Sequence, residues 1–350
     1  MASFADAAVA VGTSIGRYFS IVSMLPSALL VGWSALLLAG EAFTGQFTPV
    51  TAWQSAASVS LGSIGVFVTV ALAVSLILNP FQFAATQLLE GYWGGGQVGS
   101  AIGAARTNYH RRRFRELIKR KSRASKRLDE SATEQGETPQ GLLLSAAGDE
   151  VVHLQIRADA MSAAASRYPE AARILPTRLG NALRSSEDTA GREYGLDALR
   201  VAGHLSLLSE TPSNAYVRDT RESLDLSVRL CMVFALATPI SCVLLVREGW
   251  WMLLALVPYG AAYLSYRGAV LAALAYGNAV RFQIDLDRFA LYEALHVFEP
   301  ASTDREREQN ADLMSLLSRE PTSAAGTSIR YRSSRPSAPT GRKRASRTGR

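Results

Sequence analysis

AFTGQFTPVTAWQSAASVSLGSIGVFVTVALAVSLILNPFQFAATQLL, residues 42–89, runs for 48 positions without Asp, Glu, Lys or Arg. A bilayer core is crossed by roughly 20 predominantly apolar residues in helical form, so this stretch is long enough to cross once with residues to spare. Three further uncharged runs flank the middle of the chain, at residues 18–40, 230–246 and 249–266. Together they predict an integral membrane protein, and the charged segments take their meaning from that setting.

Four spans are expected. The first covers residues 19–39, with Pro26 in its early turns, and the second covers residues 59–78, stopped by Asn79-Pro80. Polar residues 44–58, with Pro49 and Trp53, then form an outer loop; a segment dipping back into the membrane is the alternative. The third span is residues 230–246, interrupted at Pro239, which lacks the N–H a helix needs. The fourth is residues 250–266, with Pro258 inside. Lys and Arg near span ends set orientation. The outer loops hold only Glu41 and Arg247-Glu248, whereas Arg17, Arg229, Arg267, Arg281 and the block at 106–127 lie on the other side. Both termini and the middle segment are therefore expected in the cytoplasm, with Trp250 and Trp251 at the outer interface and Tyr18 and Tyr266 at the inner one.

The expected fold class is all-α: a polytopic membrane protein of four transmembrane helices with a helical cytoplasmic module. Residues 1–93 form an N-terminal hairpin and residues 94–212 a cytoplasmic helical region. Residues 213–298 form a C-terminal hairpin whose cytoplasmic extensions pair as a stalk, and residues 299–350 a polar basic tail, largely disordered. Within the middle region, Val151, Val152, Leu154, Ile156 and Met161 start a helix ending before Tyr168-Pro169, and Thr177 caps the next. Residues 129–141, with Gly136, Pro139 and Gly141, are the expected flexible break.

Charge is uneven along these 350 residues of net charge +7. Residues 106–127 hold eleven basic side chains against Glu116, and the residues after Glu320 hold eight against none. Such blocks favour anionic partners. Beside apolar spans the expected partner is an anionic lipid headgroup rather than nucleic acid. Arg111, Arg112, Arg113, Arg115, Lys119, Arg120 and Lys121 are the candidate lipid-binding residues, on a helix whose apolar stripe is Phe114, Leu117 and Ile118. A second pattern lies on the fourth span and its continuation. Ala261, Ser265, Ala269, Ala273 and Gly277 recur every fourth residue, a small-residue ridge against which another helix can approach closely, within the chain or in a homo-oligomer.

No chemistry stands out. Gly94, Gly96 and Gly99 match G-x-G-x-x-G, but that fingerprint needs a preceding strand, and here it follows a helix, so a turn is expected. His110, His153, His204 and His296 are scattered, without metal-ligand spacing. Cys231 and Cys242 share one helix about 16 Å apart along its axis, too far for a disulfide. Glu187, Asp188, Glu193 and Asp197 surround Tyr194, and Asp285 and Asp287 flank Leu286; caps and ion pairs with Arg178, Arg184, Arg192, Arg200, Arg281 and Arg288 account for them. No catalytic, cofactor-binding or metal-binding residue is assigned.

IGRYFSIVSMLP at 15–26, LPTRLGNALR at 175–184 and YGLD at 194–197 resemble a family of uncharacterised integral membrane proteins of actinobacteria. The resemblance covers roughly residues 15–298 and implies the two-hairpin layout and a bacterial plasma-membrane location, with no activity attached. The expected function is a non-enzymatic scaffold or regulatory component whose cytoplasmic helices engage a protein partner. An oligomeric channel or transport subunit, lined by Ser60, Ser63, Thr69 and Ser75, is the alternative, and a membrane-bound enzyme using the acids near Tyr194 comes third.

Overall fold

In a computed structural model of the chain, the uncharged runs fold largely as helices. The structure describes residues 21–42, 44, 47–58, 60–134, 149–208, 212–318, 329, 331 and 332. Among them the regular structure is helical: α1 (Ile21–Ala39), α2 (Pro49–Ala57), α3 (Leu61–Leu78), α4 (Phe81–Glu90), α5 (Gln97–Glu134), α6 (Asp149–Ala165), α7 (Arg178–Thr189), α8 (Ala198–Leu208), α9 (Pro212–Leu244), α10 (Leu256–Ala294) and α11 (Thr303–Leu316). The all-α reading holds. Two helices, Leu61–Leu78 and Pro212–Leu244, are long and apolar enough to cross a membrane. The expected flexible break does not begin at residue 129, because α5 continues through Glu134; the rest of that break and the start of the first span lie outside the described residues.

The chain divides into two compact units that do not follow the sequence-based segments. One is Met1–Asp188 with Tyr216–Ala279, the other Thr189–Ala215 with Val280–Arg350. Helices α9 and α10 are continuous over 33 and 39 residues.

In the first unit, Ser60 caps α3 by accepting from the Ser63 N–H. Asn79-Pro80 does not end the helical path but turns it into α4, which closes on Gly91 in the left-handed conformation. The expected outer loop is partly helical, since Pro49 occupies the first turn of α2, where its missing N–H is unneeded. That loop is tied down: the Phe47 N–H donates to the buried Glu248 carboxylate at 2.7 Å, and Phe47 meets Trp251 edge-on at 5.3 Å. The Trp33 indole N–H donates to Ser241 Oγ at 2.8 Å, joining α1 to α9. The fourth apolar run is split, its first part a 3-10 helix, Gly249–Ala255, and the rest the start of α10.

The core of this unit lies where α7 meets α9 and α10. Leu179, Ala182, Leu224, Val228, Ala269 and Ala273 are buried together. The small-residue ridge of α10 is thus filled from within the chain, Leu179 and Ala182 of α7 packing over Ala269 and Ala273. One turn further on, a Cβ added at Gly277 would collide with the Ser186 side chain. Ala261 and Ser265, earlier on the ridge, are only half-buried. The seat of α7 is equally specific. Thr177 caps it through the Gly180 N–H at 3.0 Å and donates its own hydroxyl to the Glu90 carbonyl at 2.7 Å, while Asn181 exchanges hydrogen bonds with the Leu175 backbone at 2.7 and 2.9 Å. The expected pairing of the α9 and α10 extensions is present here as Arg221 over the Tyr276 ring at 5.5 Å.

In the second unit, the 3-10 turn Arg192–Tyr194 lies between Gly191 and Gly195, both left-handed. At Gly195 a side chain would also press on the Arg307 backbone of α11, 3.2 Å away. Helix α11 corrects the tail assignment. Residues 299–350 were expected to be largely disordered, yet Thr303–Leu316 is a helix capped by Ser302, with Glu306, Asn310, Leu313 and Met314 buried. Its apolar face is too narrow to stand out among its charges. Further along, Tyr331 bridges to Val297, and the Arg332 N–H donates to the His296 carbonyl at 2.6 Å.

Because the ridge is occupied, Ala269→Leu or Ala273→Leu should overpack it and cost about 1–3 kcal/mol. Leu271→Ala, at an exposed position, should cost clearly less. Thermal unfolding of the full chain in mild detergent measures both.

Candidate functional site

In the first unit, the basic helix α5 carries aromatic rings as well as charge. His110 is 1 % exposed, its Nδ1 lies 3.0 Å from the Tyr168 hydroxyl, and its Nε2 is buried without a partner among the described residues. Phe114 stacks obliquely on Tyr168 at 5.5 Å, and Tyr109 meets His110 edge-on at 5.4 Å. Of the stripe Phe114, Leu117 and Ile118, the first two are half-buried and Ile118 is exposed. Phe114 meets Tyr168, and further along α5 Leu128 packs on Leu154 and Ala158 of α6; Ile118 remains 44 % exposed. Arg112, Arg113, Arg115, Lys119, Arg120 and Lys121 are exposed, and Arg111 is half-buried.

Beside Tyr168 opens a cavity of about 110 Å³. Arg113 of α5, Arg167 just after α6, Arg178 at the start of α7 and Arg267 of α10 line it, together with Tyr168 and Tyr266. Leu117, Val270 and Leu271 give it an apolar wall. The Tyr266 hydroxyl accepts from the Arg178 and Leu179 N–H groups at 3.1 and 3.4 Å, so a side chain of α10 serves the first turn of α7. His110 feels the same charge. Burial, with Arg106, Arg178 and Arg113 nearby, lowers its pKa to about 4, and burial raises that of Tyr168.

The acidic groups near Tyr194 are structural. Asp188 pairs with Arg173 and accepts from the Glu170 N–H, and Glu187 lies 3.7 Å from both Arg173 and Arg184. Burial raises the pKa of Glu187 against the pull of those two arginines. In the second unit Glu193 pairs with Arg281, and Asp197 caps α8 through the Leu199 N–H at 3.0 Å and pairs with Arg200 at 3.2 Å. Asp287 accepts from Ser213 at 2.5 Å. The strongest polar network there lay outside the sequence reading. Arg288 pairs with the buried Glu306 at 3.0 Å and sits over the Tyr194 and Phe289 rings at 4.1 and 4.4 Å. Tyr292 donates to the same carboxylate at 2.9 Å, and Asn310 donates to the Tyr292 hydroxyl and the Tyr194 carbonyl, both at 2.7 Å. Burial pushes the Tyr292 phenol far above its ordinary range, which keeps it a donor.

Gly94 and Gly96 lie in the turn between α4 and α5 and Gly99 in the first turn of α5, with helix α4 rather than a strand before them. Cys231 and Cys242 are free. No group of His, Cys, Asp and Glu among the described residues is placed to hold a metal ion. The cavity was not legible because its arginines come from four segments, and His110 and Tyr168 are 58 positions apart. Of the predicted lipid-binding residues only Arg113 lines it; of the ridge residues, none. The Thr177 cap was the nearest available signal, since it fixes where Arg178 falls. No family model matches the chain, and comparison with curated proteins and with solved structures finds no match.

Two outcomes follow. An unfolded imidazole gains its proton near pH 6.5 and folded His110 only near 4, so between those values the unfolded chain binds more protons. Stability from this group is complete above about pH 6.5 and lost as pH falls toward 4, by on the order of 2–3 kcal/mol. The gap in unfolding free energy between wild type and His110→Gln, followed from pH 7.5 to 4, should narrow or reverse across that window. Separately, Tyr292→Phe removes a hydroxyl shared by Glu306 and Asn310 and should cost about 1–3 kcal/mol in denaturant unfolding, with helix content unchanged in circular dichroism.

Proposed function

We propose that the chain is a four-span protein of the plasma membrane, with both termini and the helical module in the cytoplasm, acting as a non-enzymatic scaffold or regulatory component. One observation carries the membrane part. Helix α3 carries no charged residue and is predominantly apolar, yet only 6 % of it is buried, so its side chains face outward as they would toward lipid. Large exposed apolar surface is otherwise rare on soluble proteins. The other apolar segments behave alike: Leu38, Val243, Val246, Leu253, Leu256 and Leu264 are between 58 and 68 % exposed. The kinship suggested by residues 15–26 and 175–184 belongs to the same reading.

The scaffold reading is supported by how the charged groups are used. The acids near Tyr194 are engaged in caps and ion pairs, and the helices outside the apolar segments are cross-linked by specific side-chain bonds. The channel alternative gains nothing from its proposed lining. Ser60 and Ser63 bond each other at 2.9 Å and Thr69 bonds the Gly65 carbonyl at 2.8 Å, so these hydroxyls need no water-filled lumen.

Reporter fusions at Gly45, Gly141 and Arg350 in bacterial cells should place Gly45 alone outside. An external signal at Gly141 would reverse the orientation, and a cytoplasmic signal at all three would remove the first hairpin. Purification in mild detergent followed by mass spectrometry should then recover a stable protein partner; the isolated chain alone would count against a scaffold.

A further inference from the structure

Two arginines packed near α7 have acids beside them. Arg173 pairs with Asp188, and Arg184 has Glu187 at 3.7 Å and donates to the Tyr92 hydroxyl at 2.7 Å. The four that line the cavity do not. Among the described residues, no carboxylate lies within ion-pair distance of Arg113, Arg167, Arg178 or Arg267. No acidic residue lines the cavity either. Like charges gathered on one concave surface repel one another, and helix α7 adds the positive end of its dipole at Arg178.

Three further features suit an anion. The volume, about 110 Å³, is far above the roughly 10–15 Å³ that a single water needs. Both lone pairs of the Tyr266 hydroxyl are engaged by the Arg178 and Leu179 N–H groups, so this oxygen can only donate its own proton. His110, which lies 3.0 Å from the Tyr168 hydroxyl, has a buried nitrogen without a partner among the described residues, and burial first, then Arg106, Arg178 and Arg113, hold it neutral. We infer that Arg113, Arg167, Arg178 and Arg267, with Tyr266 as a neutral donor, form a binding site for a phosphate group. Guanidinium forks match phosphate oxygens two at a time, and a phosphate offers more acceptors than a carboxylate for four such groups to share.

The phosphate can belong to a lipid headgroup or to a soluble phosphate ester. The apolar wall of Leu117, Val270 and Leu271 suits either an acyl chain or the body of a small molecule. On the proposed topology, on which only the choice of source rests, the cavity lies at the inner membrane face, because Arg267 directly follows the fourth apolar run.

The test uses the full chain with two probes. In neutral detergent, inorganic phosphate is titrated and binding is followed by thermal shift. In nanodiscs, phosphatidylglycerol is compared with phosphatidylcholine by lipid retention in native mass spectrometry. At least one probe should bind saturably. The pair Arg167→Gln with Arg267→Gln should weaken that binding at least tenfold, while Arg112→Gln with Arg120→Gln, equal in charge but outside the cavity, should change it less than twofold. Ala164→Leu keeps every charge and fills the cavity from α6, so it too should abolish binding. Phosphate binding in detergent assigns a soluble ester; selective retention of phosphatidylglycerol alone assigns a headgroup. Equal loss from the two arginine pairs, full binding by Ala164→Leu, or no saturable binding of either probe would overturn the site. The detergent arm does not depend on which side faces the cytoplasm, so a failed topology and a failed site give separate results.

Discussion

Helix α7 reaches the flank of α10 only because residues 269, 273 and 277 there are alanine, alanine and glycine. That close approach organises the first unit. It brings Leu179 and Ala182 into the buried layer with Leu224 and Val228, and it sets the start of α7 beside Tyr266. Once α7 is seated, the positions of Thr177 and Arg178 follow, and through Thr177 the end of α4 is held by its carbonyl. The arginine-lined cavity is thus a consequence of a packing contact rather than of a local motif.

In both units several arginines are matched with acids. In the second unit Arg288 is fully served by Glu306 and two aromatic rings, and the carboxylate is completed by Tyr292. A buried ion pair of this kind confers geometric definition more than stability, because desolvating both charges offsets much of their attraction. The four arginines around the cavity have no such carboxylate among the described residues, and Arg178 and Arg113 add to burial in lowering the pKa of His110.

Much of the fold could be read in one dimension. Helical class, the course of α3, the Thr177 cap and the small-residue ridge each rest on spacing within a single helix, and each is where the pattern put it. The ridge residues did not reveal whether their partner was internal, since Leu179 and Ala182 lie about ninety positions away. Helix α11 was missed because its buried face mixes Glu306 and Asn310 with Leu313 and Met314, which no hydrophobic period can register. The Phe114 stripe was legible as amphipathic, but sequence periodicity cannot tell a lipid neighbour from a tyrosine 54 residues later. The cavity needed four segments at once, and charge counted along the chain distributes its arginines among unrelated blocks.

The two bonds that join α1 and the segment before α2 to Ser241 and Glu248 have an implication for the order of events during synthesis. Trp33 and Ser241 are 208 positions apart, and Phe47 and Glu248 are 201 apart. A ribosome adding about 5–20 residues each second leaves the early partners waiting roughly 10–40 s for the late ones. For that interval an indole N–H and a backbone N–H, both destined for a sheltered site, must be satisfied by something else. The segment that carries Trp33 and Phe47 is therefore obliged to live as an intermediate, and whatever attends it in the cell has a defined span of time in which to act.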